Sequence, residues 1–467
     1  MADGARGERG ADEEVPEECA AAAEDAGESS EGEPPELMDL IDAVEEAAAD
    51  VEALAKVLRD IGRRIRLTPT DRDLLTDFEG TTQICQALAA PPHSWRGEAM
   101  VAFCRIVPDV CRTSVLNRGA LRDEGFLQGL LGLLGAAARG GEEATTAAAC
   151  SALSALCTAS DGNKKAAAGL WVGVPGEAAA VQGMQLLVEV LGLFPQSAAV
   201  QTEGLSALRA MVVDDDSRKG AEEEAFAVLN RRVLMGEGFS VVHAAIVMAF
   251  ATADSTSGQA QARLTEQALL MLREASREQD HIQEMAFGSK LQKRAVSTLS
   301  SSSDAKVVRA SLAALRAFAF NEDAREHLAL LSDDVLTCVA AVQKHVGVAA
   351  VCEQGFGLFV NLTLRKSPIA ARLGDLLPLG QAVLRQHPDR PDIARSVTMA
   401  LRNIASQVDA VGAEVRESGL FEQLRELVLQ REDKPRWGAA VDAARQFLRE
   451  FKADQGVQKK AVYNAYY

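Results

Sequence analysis

The sequence predicts an all-α fold: a right-handed helical-repeat solenoid behind a disordered acidic N-terminal arm. Hydrophobic residues make up 48% of the 467 residues, whereas aromatic residues make up only 4%. Alanine and leucine must therefore carry the burial, and they favour close-packed helices over β-sandwiches, which depend on β-branched and aromatic side chains. An internal repeat is the decisive observation, because a chain of this length forms one continuous core only as a stack.

The repeat consists of similar stretches that each lie late in a predicted helix and end in a polar turn. Successive anchor residues are separated by 52, 64, 43, 44 and 42 positions. The anchors are Leu156, Leu208, Leu272, Leu315, Phe359 and Leu401, with weaker copies at Phe103 and Leu448. A basal period of 42–44 residues is typical of armadillo and HEAT repeats. We therefore expect roughly eight to nine armadillo/HEAT-like units, each a short helix followed by two longer ones.

Apolar residues around Leu401 show the helical period within one unit. Ile393, Val397, Ala400, Leu401 and Ile404 form a single apolar stripe. A glycine that precedes the second helix recurs in most units, which lets two helices meet at a sharp turn. These glycines are Gly125, Gly183, Gly238, Gly288, Gly374 and Gly419.

Three regions are predicted: an acidic arm over 1–36, a solenoid over 37–455 and a tail over 456–467. The arm holds 13 acidic residues and 2 arginines but few large apolar side chains, so it cannot offset its chain entropy by burial. It either occupies the groove of the solenoid as an internal competitor or serves as a solubilising tail. All three tyrosines, Tyr463, Tyr466 and Tyr467, lie in the tail, as a docking motif, as an anchor or by coincidence.

The longer repeat intervals predict insertions around 169–178 and 222–232, in loops at the rim of the stack. The poorly matched ends, 37–90 and 435–455, are predicted to be capping units that screen the stacked core.

Composition also excludes several classes of function. The formal net charge is −18, and the mildly acidic solenoid repels a phosphate backbone, so nucleic-acid binding is not expected. No run of 18 apolar residues predicts a membrane span. Eight scattered cysteines and an acidic N-terminus without a signal sequence favour a cytoplasmic, or alternatively nuclear, location.

Four stretches resemble the armadillo repeat-containing protein 6 family in their order and spacing. They are ALRAMVVDDDSRK at 207–219, ALRAFAFNED at 314–323, VCEQGFGLFVNLTLRK at 351–366 and MALRNIASQ at 399–407. The 64-residue interval that spans Asp216 also looks like that family's insertion. The resemblance covers residues 37–455 and implies an armadillo solenoid that binds other proteins without known chemistry.

In armadillo proteins the third helix of each unit lines a concave groove, where an asparagine clamps the backbone of an extended peptide. An amide donates and accepts at once, so a ladder of amides binds main chain irrespective of sequence. Here only Asn361 and Asn403 occupy the aligned position. Gly357 and Met399 stand where nuclear-import adaptors carry tryptophan. Recognition of nuclear-localisation signals is therefore disfavoured.

A second ladder follows the anchors directly, at Arg209, Arg273, Arg316, Arg402 and Arg449. In the helix around Leu401 the arginine lies opposite the apolar stripe and so faces the groove or its edge. Arginines at one repeat position are suited to bidentate contacts with an acidic, extended partner. The alternative is that arginine is a good helix former that solvates an exposed position.

No signature of catalysis, metal binding or cofactor binding is present. No Cys/His pair has zinc-site spacing, so the cysteines are expected to be buried small side chains. The run Asp214–Asp216 is better suited to capping the next helix or pairing with a neighbouring arginine than to a divalent ion. GxSxG, P-loop, GxGxxG and HExxH motifs are all missing from the sequence.

The predicted function is therefore a non-catalytic scaffold or adaptor, monomeric on its own, that binds partner proteins through the concave groove. Alternatives are a stable structural subunit of a ciliary or cytoskeletal assembly and, less favoured, a cargo or nuclear-transport adaptor. The predicted binding residues are Arg209, Arg273, Arg316, Asn361, Arg402 and Asn403.

Overall fold

The computed structural model confirms an all-helical solenoid in the part of the chain that it describes. The described residues are 35–168, 183–217, 225–236, 239–277, 285, 288–330, 332–364, 369–373 and 376–452. Every regular element in these ranges is a helix. The predicted tail, the first insertion and all but the last two residues of the predicted arm lie outside them.

The chain divides into two compact units, Met1–Glu274 and Ala275–Tyr467. In the first unit two helices precede four triplets, and each triplet begins with its shortest helix. The helices are α1 (Leu37–Ala47), α2 (Val51–Leu67), α3 (Asp71–Asp77), α4 (Gly80–Ala89), α5 (Gly97–Cys111), α6 (Val115–Asp123), α7 (Phe126–Gly140), α8 (Glu143–Cys157), α9 (Asp161–Ala168), α10 (Gly183–Leu193), α11 (Ala198–Val212), α12 (Phe226–Gly236), α13 (Phe239–Asp254) and α14 (Gly258–Ala275).

The second unit continues the same order of short and long helices. A 3-10 helix at Ala370–Leu373 replaces the first helix of one triplet, and another at Pro435–Trp437 precedes the last helix. The α-helices are α15 (Leu291–Ser301), α16 (Ala305–Phe318), α17 (Glu322–Leu330), α18 (Ser332–Lys344), α19 (Ala349–Leu362), α20 (Leu376–Gln386), α21 (Pro391–Gln407), α22 (Asp409–Glu417), α23 (Leu420–Arg431) and α24 (Gly438–Lys452).

The third helices of consecutive triplets pack side by side within each unit. In the first unit α2 packs on α5, α5 on α8 and α8 on α11; in the second, α16 packs on α19, α19 on α21 and α21 on α24. Five anchors sit in these contacts and are fully buried: Phe103, Leu156, Leu208, Leu315 and Phe359. Leu272 of α14 is fully buried as well. Burial of the anchors drives the stacking, since each large apolar side chain contributes about 1.5–3 kcal/mol when it leaves water.

Local sequence sets where the helices start. Asp50 accepts hydrogen bonds from the main-chain N–H groups of Glu52 and Ala53, which caps α2. Ser114 caps α6 in the same way, through the N–H of Asn117. Gly125 and Gly419 precede second helices with φ values of +81° and +77°, a conformation that glycine adopts without strain. The predicted role of these two glycines is confirmed.

Two predictions about the ends of the array are corrected. The segment 435–455 is no separate capping unit, because α24 completes a triplet with α22 and α23. Its buried anchor is Phe447, which packs against Phe421 at 6.0 Å between ring centroids, whereas Leu448 is partly exposed. At the other end, 37–90 contains α1 and α2 together with the first two helices of a full triplet.

The predicted insertion at 222–232 is also displaced. α12 begins at Phe226 and is the first helix of its triplet, so its residues are repeat rather than insertion. Its sequence carries the apolar spacing of a packed helix, with Ala227 and Leu234 buried. The additional length lies between α11 and α12, from residue 213 to 225.

Candidate functional site: the third-helix face

We use the term third-helix face for the exposed side of α2, α5, α8 and α11 in the first unit and of α16, α19, α21 and α24 in the second. Its character changes along the first unit. On α8 the exposed and partly exposed residues after Glu143 are all small, and Ser154 Oγ lies 3.0 Å from Ser206 Oγ of α11. On α2 and α5 the face is charged, and Arg66 pairs with Asp109 at 3.1 Å.

Arg209 has no ion pair with any residue that the structure describes. The residue is partly exposed, but its Nε is buried and has no hydrogen-bond partner. Gln267, five residues before the next anchor, Leu272, likewise has a buried Oε1 without a partner. The guanidinium of Arg209 is thus held in place by packing and keeps unused donors.

Arg316 occupies the equivalent position in the second unit and is held differently. Its Nη1 donates to Oε1 of Gln354 on α19 over 3.2 Å. The guanidinium lies over Gly357, where an added Cβ would be 2.6 Å from Cζ. The glycine that replaces the import adaptors' tryptophan therefore makes room for an arginine from the preceding triplet.

The predicted clamp asparagine Asn361 already has a partner in its own chain. Its Nδ2 donates to the main-chain oxygen of Arg316 over 3.2 Å, and the residue is only 7% exposed. Asn403 is partly exposed, and its Nδ2 lies 3.4 Å from Thr363 Oγ1. Asn361 and Arg316 are the two predicted site residues that the structure brings together.

The remaining ladder arginines contact carboxylates or their own helix. Arg402 Nε lies 2.6 Å from Glu450 Oε2 across α21 and α24. Arg273 Nε lies 3.4 Å from Oε1 of Glu274, which is almost fully buried. Arg449 is exposed, and its Nε donates to the main-chain oxygen of Arg445 in the same helix. Because the anchor of α24 is Phe447, Arg449 stands one position out of register with the ladder.

A second polar ladder, which the sequence analysis missed, lies in the first helices of the first unit. Asn117, Asn163 and Asn230 are buried, and each is followed directly by a buried arginine or lysine. The signal was present as the dipeptides NR, NK and NR at 117, 163 and 230. The apolar anchors lie in third helices only, so their spacing does not reveal this pattern.

Each of these asparagines donates two hydrogen bonds to main-chain oxygens. One acceptor is the penultimate residue of the preceding third helix: Val110 at 2.8 Å, Leu156 at 2.8 Å and Met211 at 3.0 Å. The other lies in the previous first helix: Arg72 at 2.7 Å, Arg118 at 3.0 Å and Lys164 at 3.5 Å. The bond to the third helix thus satisfies a carbonyl that the end of a helix leaves without a partner.

The acidic run Asp214–Asp216, which follows α11, contacts the first helices that carry the asparagine ladder. Lys164 is fully buried and binds Asp215 and the main-chain oxygen of Val213. Asp216 accepts the N–H of Asp161 at the start of α9 over 3.0 Å. The prediction that the run caps the next helix is therefore wrong: Asp216 caps the earlier helix α9, while the N–H groups of Phe226 and Ala227 at the start of α12 donate to Asp161. The carboxylate of Asp215 pairs with a lysine rather than with an arginine.

The described cysteines are buried and free, which confirms the prediction of packed small side chains. They are Cys85, Cys104, Cys111, Cys150, Cys157, Cys338 and Cys352. Loss of solvation penalises the thiolate, which raises the pKa of Cys157 to about 12 and that of Cys352 to about 11. Among the described residues, no group of three or more His, Cys, Asp or Glu side chains is placed to hold a metal ion.

One second helix exposes an uncharged face. On α13, Val241, Val247 and Met248 are 41–43% exposed, and the helix has no Asp, Glu, Lys or Arg before Asp254. No single described helix is long and apolar enough to cross a membrane; α12 and Ser240–Asp254 meet that criterion only as a pair, with an 88° bend between them.

Comparisons with solved structures place this arrangement among known folds. A structure from work on the phosphorylation switch that controls the interaction between cadherin and β-catenin aligns with 89% of this chain and 79% of its own. The sequences are 16% identical, and the TM-score is 0.55. The fold is armadillo-like. A crystal structure of an engineered protein aligns with 89% of this chain and 99% of its own at 16% identity, with a TM-score of 0.49.

No protein-family model matches the chain, and no curated protein matches it in sequence. The armadillo-like likeness therefore describes the fold alone.

Proposed function

We propose that this chain is a non-catalytic scaffold or adaptor that binds a partner protein through the third-helix face. The observation that carries the proposal is the packing of successive third helices, which leaves partly exposed arginines at one repeat position. Armadillo-like repeats expose such faces as extended binding surfaces. The partner that fits them is an extended segment rich in carboxylates, since arginine binds carboxylate through paired, charge-assisted hydrogen bonds.

The present contacts of two ladder arginines leave their guanidinium groups suited to binding a carboxylate of the partner. Arg209 has no ion pair, and Arg316 bonds Gln354, a neutral acceptor. A hydrogen bond to an ionised acceptor is roughly twice as strong as one to a neutral amide. Arg402 already pairs with Glu450, so we rank it below Arg209 and Arg316 as a contact.

The test is affinity capture from lysate with the intact protein and with Arg209→Glu, Arg316→Glu and Arg402→Glu combined. The matched control reverses three exposed arginines on second helices, Arg139, Arg385 and Arg425. Partners lost from the ladder variant but retained by the control support the proposal, provided both variants melt like the intact protein. Equal capture by all three would contradict it.

A second candidate function, a stable subunit of a larger structural assembly, is supported by the uncharged face of α13. Exposed apolar patches mark permanent interfaces more often than transient ones. If this function is right, Val241→Glu with Val247→Glu should release the protein from a high-mass complex in size-exclusion chromatography, and the ladder variant should not. A cargo adaptor of the nuclear-import type receives less support, because Gly357 seats Arg316 and Asn361 bonds its own chain.

Membership of the armadillo repeat-containing protein 6 family belongs to the same proposal and rests on the four stretches between 207 and 407. We also propose that the protein is located in the cytoplasm or nucleus, which the free thiols of the described cysteines support. The proposal further includes a monomeric state without membrane or nucleic-acid binding.

A further inference from the structure

A cleft of about 600 Å³ lies in the first unit, beside the N-terminal ends of α5 and α8. Five charged residues border it: Arg59, Arg96, Glu98, Arg105 and Glu142. The apolar residues that line it, here called its floor, include Val101, Ala137 and Leu133. None of the ladder arginines lines it, although it borders the third-helix face at α2, α5 and α8.

The positive charge of this cleft is incompletely neutralised. Glu98 pairs with Arg59 at 3.5 Å. Arg96 and Arg105 are exposed and have no ion pair or side-chain hydrogen bond in the described part of the chain. Two unpaired guanidiniums therefore flank a small apolar floor in a protein whose net charge is −18.

We propose that this cleft is the docking site of the chain's own acidic N-terminal segment, residues 12–18. That segment reads DEEVPEE: three carboxylates precede Val15 and Pro16, and two follow them. Carboxylates flanking two apolar residues match guanidiniums that flank an apolar floor. The contact is an electrostatic one, which salt weakens because exposed charges are screened beyond about 10 Å at 0.1 M ionic strength.

The chain connection favours this occupant over an acidic segment of another protein. Glu18 precedes Leu37, the first residue of α1, by 19 positions. α1 packs on α2, the helix that carries Arg59. A flexible chain of about 19 residues has an r.m.s. end-to-end distance of about 25 Å, which gives an effective concentration in the millimolar range.

The first test uses Cys19, directly after the acidic stretch, because the described thiols are all buried. A bimane group on Cys19 is quenched when it contacts tryptophan, and Trp95 immediately precedes Arg96. We expect the full-length protein to show quenched emission at low salt. The emission should rise in about 0.5 M salt, where the screening length falls to a few ångströms. It should also rise in the Arg96→Glu, Arg105→Glu variant.

The control for this test reverses two exposed arginines of the second unit, Arg385→Glu and Arg425→Glu, which changes net charge equally. It should leave the quenching intact. Emission that is unquenched at low salt, or equally quenched in the cleft variant, overturns the proposal.

The second test measures binding of a labelled synthetic peptide, residues 8–24, by fluorescence anisotropy. The peptide should bind a variant that lacks residues 1–34 and bind the full-length protein far more weakly, because the tethered segment competes. Reversal of Arg96 and Arg105 in the truncated protein should weaken binding about tenfold or more, since attraction becomes repulsion. Equal affinity for the truncated and full-length proteins would show that the cleft takes a segment of another protein and would overturn the proposal.

Discussion

The first helices of the first unit and the third helices of both units each carry a polar residue at a fixed repeat position, with opposite outcomes. Asn117, Asn163 and Asn230 are buried and bond the same two kinds of main-chain oxygen. The ladder arginines are partly exposed, and their partners vary from none to an amide or a carboxylate. Main-chain oxygens recur whatever the side chains are, so the first-helix ladder is uniform and architectural. The arginine contacts depend on the neighbouring sequence and are suited to specificity.

The largest expected effect is on the buried lysine of the first-helix layer. Lys164→Met should lower the free energy of unfolding by about 3–5 kcal/mol, because it leaves Asp215 without its buried partner. Lys165→Met is the matched control: Lys165 is exposed, with its Nζ 4.7 Å from the ring centroid of Phe226, and should cost about 1 kcal/mol or less. Urea denaturation followed by circular dichroism measures both. Similar losses for the two lysines would refute a special role for the buried pair.

The asparagine ladder should follow, graded by its hydrogen bonds. Asn117→Ala and Asn163→Ala should each cost about 2–4 kcal/mol, since two buried carbonyls lose their donor. Asn230→Ala should cost less, because one of its bonds is 3.5 Å long. Parallel urea titrations test the order, and a larger loss at Asn230 than at Asn163 would contradict the hydrogen-bond account.

The third-helix layer can be probed by one substitution at two glycines of α19. An added Cβ at Gly355 would lie 2.2 Å from Val342 in the core, so Gly355→Ala should cost about 1–3 kcal/mol of unfolding free energy. At Gly357 the clash is with the mobile end of Arg316, and the helix gains about 0.5–1 kcal/mol from alanine. Gly357→Ala should therefore change stability by about 1 kcal/mol or less. Thermal melts of the two variants compare them, and a large loss at Gly357 would mean that Arg316 cannot move.

The last expected effect is confined to alkaline pH, where the pH dependence of the free energy of unfolding changes. Because burial raises the pKa of Cys157 to about 12, the unfolded thiol ionises from about pH 9 while the folded one stays neutral. Stability therefore falls as the pH rises between these values, by about 1.4 kcal/mol per pH unit for one thiol. In Cys157→Ala the free energy of unfolding should fall less steeply with pH, by about 1.4 kcal/mol per pH unit. Denaturation at a series of alkaline pH values provides the test, and an unchanged slope would show that this thiol does not contribute.

The fold was readable from the sequence because the anchors recur with large apolar side chains in a period of one triplet. Prediction failed where neighbouring residues offered equivalent apolar choices. In α24 both Phe447 and Leu448 fit the spacing, and contact with Phe421 of α23 selects Phe447. The contact between Phe447 and Phe421 cannot be inferred from the spacing of apolar residues in the sequence.

The candidate site was predicted as a set of positions but not as a set of contacts. Arg316 and Asn361 meet because α16 packs on α19, and Gly357 matters only once a guanidinium lies above it. The first-helix asparagines were within reach, since an NR or NK dipeptide lies in the first helix of three consecutive triplets. The spacing of the apolar anchors alone does not point to these asparagines.

The uneven length of the asparagine bonds has a consequence for how the array would break under load. Each asparagine amide ties a first helix to the preceding third helix and to the previous first helix, so pulling the chain apart must break these hydrogen bonds in sequence rather than separate helices one at a time. The rungs at Asn117 and Asn163 have both bonds at 3.0 Å or shorter, whereas the rung at Asn230 has one at 3.5 Å. Under tension the repeat array should therefore separate first before α12, where one hydrogen bond of the asparagine ladder is longest.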